Sequence, residues 1–414
     1  MDQPAARTSD QISLKIGRAE FIALAAALMA LNALAIDVML PALQQIGAAL
    51  GVEDENSRQF VITAYLVGFG GAQLFYGPIT DSFGRRGPLL IGLAIYIGAA
   101  VAAAFAPTFE LLLALRVLQG VGAAATRVIA VSAIRDVFGG RRMAEVLSMV
   151  MMVFMAIPVI APSLGQLIMI FGDWHEIFVL MAGLALIVAL WSGLRLPETL
   201  DPSHRRAFSL KIIMEGFRFV VTNRIALCYT LATTAIFGAL FGFINSAQQI
   251  YVDIYGLGAW FPILFAIGAG LMALSSFTNS RFVGRFGMRR LSHGALLTFL
   301  ATNALWLTVS LIGPVPFPLF FVLFSASMFM FGWIGPNFNS IAMEPLGHVA
   351  GTAASVLGFT TTLGGGLLGA MIGQAFDGTL TPLAAGYFTV SAVGLALVLI
   401  AERGKLFRTV NPQV

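Results

Sequence analysis

The chain has 414 residues, of which 58% are hydrophobic and only 11% are charged, and its mean hydropathy is +0.88. Soluble globular domains carry about 25% charged residues, because their surface must be covered with polar groups. The hydrophobic residues also fall into runs of about 20, the length that an α-helix needs to cross a bilayer. Together these properties exclude a soluble enzyme, a disordered chain and a secreted disulfide scaffold, and they predict an integral membrane protein.

The apolar runs predict an all-α protein with twelve transmembrane helices. They do not alternate between polar and apolar residues, as the strands of a membrane β-barrel would. In chain order the predicted spans lie near residues 20–40, 59–79, 88–106, 110–134, 145–171, 176–195, 224–247, 258–279, 291–312, 317–342, 349–373 and 381–401. The single cysteine, Cys228, excludes an intramolecular disulfide, and the four scattered histidines have no metal-binding spacing. We therefore expect neither a metal site nor a bound cofactor.

The basic residues predict the orientation of the chain in the membrane. Most of the 24 lysines and arginines lie in the two tails and in the loops that follow even-numbered spans. Because loops rich in Lys and Arg stay in the cytoplasm, this pattern predicts that both termini are cytoplasmic. It also accounts for a pI near 9.5 without a nucleic-acid partner.

The longest polar stretch lies in the middle of the chain and predicts two six-helix bundles. The predicted parts are a cytoplasmic tail (1–19), a first bundle (20–195), a cytoplasmic linker (196–223), a second bundle (224–402) and a C-terminal tail (403–414). Apolar and basic residues at helical spacing in the linker indicate a helix, either at the membrane interface or solvated. Similar segments surround Gly84 and Gly287, about half a chain apart. Parallel repeats of this kind occur in transporters that bind substrate between the two halves.

Three ionisable residues lie inside the predicted spans: Asp37, Arg116 and Arg127. Such groups are costly in a bilayer and are candidates for function. Arg116 and Arg127 share one face of span 4 and differ in depth by roughly 16 Å. We predict that Asp37 binds and releases a proton and that Arg116 tunes its pKa. The alternatives are an aspartate at the outer interface and an Arg116 that binds helix carbonyls. For Arg127, close to the cytoplasmic end, an interfacial role is favoured.

The loop after span 2 contains a dense group of turn-forming and charged residues, namely Gly77, Asp81, Gly84, Arg85 and Arg86. Glycines permit a sharp turn between two membrane helices. Asp81 could then accept hydrogen bonds from a helix N-terminus or from an arginine, and so stabilise one conformation. The alternative is an ordinary charged turn.

Span 5 and several polar residues are candidates for contact with a substrate. Pro158, Pro162 and Gly165 predict a bent and closely packed helix. Methionines in the same span suit an adaptable pocket, although a lipid-facing stripe is the alternative. The cavity candidates are Asn32, Tyr65, Gln119, Met155, Asn245, Gln248, Asn303, Asn337 and Asn339. Those of the second bundle lie among many phenylalanines, which suits an aromatic or lipophilic substrate.

These segments together resemble the major facilitator superfamily over essentially the whole chain. The loop after span 2 is similar to the family motif G-x-L-A-D-R-x-G-R-R/K, with Thr80 and Ser82 in place of alanine and arginine. Residues 115–122 are similar to the R-x-x-Q-G-x-G motif of span 4, whose arginine is implicated in proton coupling. Residues 158–166 resemble the antiporter motif G-P-x-x-G-G, with Ala161 and Gln166 in place of two glycines.

Shorter segments resemble the Bcr/CflA drug-resistance branch of that superfamily. Residues 36–43 are similar to its D-M-Y-L-P-A-L segment, and residues 135–138, 196–200 and 336–337 fit the same branch. The resemblance implies a monomer in the bacterial inner membrane that exports drugs, antibiotics included, by proton antiport and alternating access.

Three other functions are alternatives to this one. A symporter that imports a sugar or another metabolite on the same fold, and a non-transporting membrane sensor, remain open. A membrane-embedded enzyme is disfavoured, because the spans contain no paired carboxylates, no histidine cluster and no Ser-His combination.

Overall fold

The computed structural model describes residues 16–138, 140–205 and 208–407, and within these ranges all of its regular secondary structure is helical, without a β-strand. Twelve helices are long and apolar enough to cross a membrane, which confirms the twelve predicted spans. In chain order, spans 1 to 12 are Arg18–Ala49, Glu55–Phe83, Arg86–Ala103, Phe109–Val137, Glu145–Phe171, Trp174–Arg195, Arg224–Ile254, Gly258–Phe286, Met288–Ile312, Phe317–Gly347, Gly351–Gln374 and Thr381–Ala401. Residues 1–15 and 408–414 of the predicted tails lie outside the described residues.

Six of the spans change helical type along their length. Spans 2 and 8 begin with the 3₁₀ turns Glu55–Gln59 and Gly258–Trp260. Span 1 consists of the α-helices Arg18–Asp37 and Leu43–Ala49, joined by the 3₁₀ turn Leu40–Ala42. Span 7 is the α-helix Arg224–Gln248 followed by the π-helical turn Gln249–Ile254. Span 10 is the α-helix Phe317–Met343 followed by the 3₁₀ turn Glu344–Val349. Span 11 contains the π-helical turn Thr360–Gly364 between the α-helices Ala350–Phe359 and Gly365–Gln374. Such π-helical turns are frequent at functional sites.

The two glycines that were aligned in sequence have the same structural role. Gly84 ends span 2 with φ 87° and Gly287 ends span 8 with φ 82°. Glycine adopts this left-handed region without a Cβ penalty, so both helices stop at the aligned position. The weak sequence repeat is thus a structural repeat.

Spans 2 and 11 meet along a line that we call the glycine seam, defined by Gly70, Gly77 and Gly373. A Cβ on Gly70 would lie 2.7 Å from the backbone nitrogen of Leu363, and one on Gly77 would lie 2.6 Å from Oγ of Ser355. A Cβ on Gly373 would lie 2.1 Å from Oε1 of Gln59. The absence of side chains at these positions lets the two helices approach closely. Span 5 likewise packs against span 8, so these two pairs of spans join the bundles.

The predicted linker contains the α-helix Leu210–Thr222, which packs against span 11. The rings of Phe217 and Phe359 meet edge to face, with their centroids 5.8 Å apart. Met214, one turn before Phe217, is 70% exposed. An exposed apolar side chain beside a membrane helix suits the interfacial alternative better than the solvated one.

Candidate functional site

Asp37 is the last residue of the first helix of span 1, at the point where that span breaks. It lies roughly 28 Å along the helix from the start of the span. Its side chain is buried, and it makes no hydrogen bond or ion pair with any described residue. Glu402, the other buried acidic residue in the described ranges, pairs with Arg289 instead. An unpaired ionisable group in this position is a functional candidate.

Arg116 lies beside the end of this helix but does not contact the Asp37 carboxylate. It is fully buried, and its Nη2 donates to the carbonyl of Ala35 at 2.9 Å, while its Nε donates to the carbonyl of Val61 at 3.1 Å. Ala35 lies in the last helical turn, where carbonyls lack a helical N–H partner. Arg116 thus binds helix carbonyls, as one alternative predicted, and it ties the break in span 1 to span 2. No direct pairing of Asp37 with Arg116 exists in this conformation.

The predicted motif of span 5 contacts the same break. A Cβ on Gly165 would lie 2.2 Å from the carbonyl oxygen of Val38, so the two backbones touch immediately after Asp37. Pro158 and Pro162 lie in the same helix, Gly140–Phe171. The structure therefore brings Asp37, Arg116 and the span 5 motif together, although they are far apart in sequence.

Three cavity candidates of the first bundle belong to a buried network near Arg116. Asn32 donates to Oγ1 of Thr126 at 2.8 Å and accepts from the Tyr65 hydroxyl at 3.2 Å. Gln119 accepts from Nη1 of Arg116 at 2.6 Å. The Arg116 guanidinium lies 4.7 Å from the centroid of the Tyr65 ring. These side chains hold one another in place, so their structural role accounts for their burial.

The second bundle buries amides that lack partners. Asn245 is buried, and neither its Nδ2 nor its Oδ1 is hydrogen-bonded within the described part of the chain. Asn303 accepts from Oγ of Ser327 at 2.8 Å, but its Nδ2 has no described partner. Gln248 is also buried. Buried polar atoms of this kind need an explanation such as a water or a ligand.

The remaining cavity candidates lie elsewhere. Nδ2 of Asn337 donates to Oδ1 of Asn279 and to the carbonyl of Trp333, both at 2.7 Å, so it joins spans 8 and 10. Asn339 is exposed and Met155 is half-buried. The structure does not bring these three residues into the group around Asp37.

The loop after span 2 forms an ionic network centred on Arg85. Its Nε lies 2.8 Å from Oδ2 of Asp136 at the end of span 4, and its Nη1 lies 2.6 Å from Oδ1 of Asp81. Burial alone would lower the pKa of the Arg85 guanidinium, but the carboxylates of Asp136 and Asp81 outweigh it and raise that pKa above its ordinary value. Asp81 is therefore bound to an arginine, as predicted, and the arginine belongs to its own loop.

Glu198, after span 6, completes this network. Its Oε1 accepts from the backbone N–H of Arg85 at 2.8 Å and its Oε2 from that of Arg86 at 3.3 Å. A Cβ on Gly84 would lie 2.4 Å from Oε2 of Glu198, so a larger residue would displace this carboxylate. The structure thus joins three segments that the sequence marked separately, at what we call the basic end of the molecule.

A corresponding network in the second bundle was missed in the sequence. Arg289, just after Gly287, lies 2.8 Å from Oε1 of Glu402 and 2.9 Å from Oε2 of Glu344. The Tyr229 hydroxyl donates to Oε1 of Glu402 at 2.9 Å and lies 2.8 Å from Nε2 of His293. The two networks join equivalent parts of the two bundles. The first joins the loop after span 2 to the ends of spans 4 and 6, and the second joins the loop after span 8 to the ends of spans 10 and 12. The repeat around the aligned glycines was the signal that could have located it.

A cluster of neutral side chains joins the two bundles at the opposite end of the molecule. We call it the amide cluster, and it consists of Asn56, Gln59, Gln249 and Gln374. Nε2 of Gln59 donates to Oε1 of Gln249 at 2.6 Å, and Nε2 of Gln249 donates to Oδ1 of Asn56 at 2.8 Å. Asn56 also donates to the carbonyls of Gln374 and Phe376, at 3.2 and 2.7 Å. The sequence showed only polar residues near the ends of spans 2, 7 and 11.

Comparison with known proteins gives consistent matches over most of the chain. The profile of the Major Facilitator Superfamily matches residues 22–370. An uncharacterized MFS-type transporter of Bacillus subtilis, YdgK, is 31% identical over 88% of this chain and 90% of its own length. The bicyclomycin resistance protein homolog of Haemophilus influenzae is 30% identical over the same shares. The multidrug resistance protein MdtL of Escherichia coli is 30% identical over 93% of this chain and 96% of its own.

Two solved structures have a similar fold at low sequence identity. The human organic anion transporter MFSD10 has a TM-score of 0.66 at 16% identity, over 92% of this chain and 99% of its own. The xylose transporter XylE of E. coli, in a partially occluded inward-open conformation, has a TM-score of 0.70 at 12% identity, over 93% and 97%. At such identities the likeness concerns the fold alone.

Proposed function

Since this chain belongs to the Major Facilitator Superfamily, a family of multi-pass membrane transporters and not of enzymes, we propose that it is a proton-coupled antiporter that exports lipophilic or aromatic drug-like molecules. Two of its relatives carry names that refer to resistance to bicyclomycin or to several drugs. The two six-helix bundles rock about a central cavity, so that protons move inward as the drug moves outward.

The observation that carries this proposal is the state of Asp37. It is a buried carboxyl group without an ionic partner among the described residues, and it lies where three motif segments meet. A group that binds and releases protons must not be locked in a permanent ion pair. Arg116 fixes the end of the helix that carries Asp37, and Gly165 brings span 5 against the next residue. Movement of span 5 against span 1 would therefore change the surroundings of Asp37 and couple protonation to rocking.

The amides of the second bundle suit the substrate side of this exchange. Asn245 and Asn303 have buried polar atoms that are free to form hydrogen bonds with a substrate. A few directional polar groups within an apolar lining are typical of small-molecule sites. In the proposed cycle these residues bind the drug and Asp37 binds the proton.

The orientation and setting of the protein are part of the proposal. The basic end faces the cytoplasm of a bacterium, both termini are cytoplasmic, and the chain lies in the inner membrane. It acts as a monomer and draws its energy from the proton gradient, without a bound cofactor. In a Cys228→Ser background, a cysteine at the exposed linker residue Ser203 should resist an impermeant maleimide in intact cells, whereas one at the exposed Thr379 should react. Labelling at Ser203 but not at Thr379 would indicate the opposite orientation.

Transport measurements test the function itself. A bacterial strain that lacks its own drug pumps, and that expresses this protein, should tolerate several lipophilic drugs better than the empty strain, and an uncoupler should remove the difference. In proteoliposomes, a proton gradient should drive those drugs against the direction of proton flow. Uptake in the same direction as the protons would instead establish an importer, and the absence of any flux would favour a sensor.

A further inference from the structure

Arg127 places a positive charge deep in span 4. The helix Phe109–Val137 is 29 residues long, and Arg127 lies roughly 15 Å before its end at the basic side. Its guanidinium is 5.9 Å from the centroid of the Phe69 ring in span 2. An interfacial role for Arg127, which the sequence favours, stays a prediction.

The Arg127 side chain faces the inside of the bundle. Ala123, Ala130 and Ile134 occupy the same helix face on the turns before and after it, and all three are buried. Leu118, half a turn away around the helix, is 45% exposed and marks the outer face. Arg127 is only partly buried although its face is interior. Its accessible surface therefore lies on the interior face of span 4, beside Phe69 of span 2.

Arg127 differs from the other arginines that lie inside the molecule. Arg116 has three acceptors, and Arg85 and Arg289 are each held by two carboxylates. Within the ranges that the structure describes, no carboxylate, hydroxyl or carbonyl accepts a hydrogen bond from Arg127. An unpaired cation inside a membrane protein is costly and needs a compensating anion or access to water.

We propose that Arg127 and Phe69 form a subsite for an organic anion, in which the guanidinium binds a carboxylate, sulfonate or phosphate group and the ring contacts an apolar body. A planar guanidinium matches the oxygens of such groups and forms strong charge-assisted hydrogen bonds. This inference rests on the proposed function, because it makes the exported molecule an aromatic or lipophilic anion. The headgroup of an anionic lipid has the same chemistry, and the experiment separates the two.

Calorimetric titration of the purified full-length protein in neutral detergent tests the subsite with three probes that share one ring system. They are 2-naphthoate, neutral 2-naphthamide and cationic 2-naphthylmethylammonium. We expect 2-naphthoate to bind roughly tenfold to a hundredfold more tightly than the amide. Arg127→Gln should abolish this preference, and Arg127→Lys should retain part of it. Arg281→Gln is the matched control, because Arg281 also lies over a ring, 4.9 Å from that of Phe277, but is exposed.

Equal affinity of the wild type for the three probes, or an unchanged preference in a folded Arg127→Gln protein, would overturn the inference. If Arg127→Gln does not fold, the other two variants decide. The inference would then be overturned if Arg281→Gln lost the preference for 2-naphthoate while Arg127→Lys retained it. Competition by short-chain phosphatidylglycerol but not phosphatidylcholine would assign the anion to a lipid and overturn its assignment to an exported substrate. Failure of the wild type to export any drug would refute the proposed antiport and leave the binding result intact.

Discussion

The interiors of the two bundles bury different kinds of polar group. The first bundle holds Asp37, Arg116 and Arg127 within its spans, and two of these three have no ionic or hydrogen-bonded partner in the described ranges. The second bundle instead buries neutral amides, those of Asn245 and Asn303, and its ionic network lies at the basic end. A charged interior can respond to a proton, whereas a neutral interior can hydrogen-bond to many molecules without a charge requirement. In the proposed cycle the first bundle therefore binds the charged groups, namely the proton and the anionic group of the substrate, and the second bundle binds neutral groups.

The sharpest way to break this comparison is to remove the acid of the first bundle. Asp37→Asn keeps the shape of the side chain but cannot ionise, so drug-driven proton movement in proteoliposomes should fall to the background level. Asp377→Asn, at an exposed position, is the matched control and should transport normally. Coupled transport at the wild-type rate in Asp37→Asn would show that the proton is carried elsewhere.

The two ionic networks allow a comparison of stability between the bundles. Arg289→Gln leaves Glu402 buried without its cation, which should reduce the free energy of unfolding by roughly 3–5 kcal/mol. Arg85→Gln should cost less, because Asp81 is 42% exposed and Glu198 keeps its backbone bonds. Denaturant unfolding in detergent measures both losses, with the exposed Arg290→Gln as control. A larger loss for Arg85→Gln would contradict this order.

The amide cluster tests how the two bundles are held together. Asn56→Ala removes three hydrogen bonds between the bundles, each worth about 1 kcal/mol, and should raise the population that is open at this end by roughly tenfold or more. Spin labels on cysteines at the exposed Glu53 and Asp377, in a Cys228→Ser background, report the distance between the bundles. Asn223→Ala makes the same chemical change at the basic end and should leave that distance distribution unchanged.

The smallest effect concerns the start of span 6, which lies outside the division between charged and neutral interiors. Asp173 and Glu176 form a capping box there, so Asp173→Ala should reduce the free energy of unfolding by about 1 kcal/mol. The backbone N–H and then the ring of His175 hold the pKa of Asp173 below its ordinary value. Its stabilisation is therefore complete above about pH 4 and is lost as the pH falls through that lower pKa.

Asp173→Asn separates the cap from the charge in this prediction. It should keep most of the capping energy but lose the pH dependence, because asparagine is an equally good N-cap and does not titrate. The difference in free energy of unfolding between the wild type and Asp173→Asn should therefore change between pH 2 and pH 5. A difference that does not depend on pH would contradict the assignment.

The sequence predicted the features that depend on local pattern. Runs of apolar residues locate the twelve spans, and similar segments around Gly84 and Gly287 locate two equivalent turns. The motif around Arg116 led to the family resemblance, which the matched profile and relatives confirm. Each of these signals lies within a short stretch of chain, so it can be read without knowledge of the packing.

The partners of the charged residues could not be predicted in the same way. Arg116 bonds to the carbonyls of Ala35 and Val61, and carbonyls are present at every position and carry no sequence signal. Arg289 meets Glu402 across more than a hundred residues, and Gln59 meets Gln249 across the two bundles. Such pairs depend on how the helices are rotated relative to one another. The length of an apolar run does not specify that rotation.

The glycine seam has a consequence for how a lipid-dissolved molecule can reach the interior. Spans 2 and 11 touch near the amide cluster, at mid-depth and towards the basic end. At these three depths the close contact leaves no space for a hydrophobic compound to pass from the acyl chains between the two helices. Bulkier residues at Gly70 or Gly77 would push the two helices apart. Lipid acyl chains could then enter the space between them.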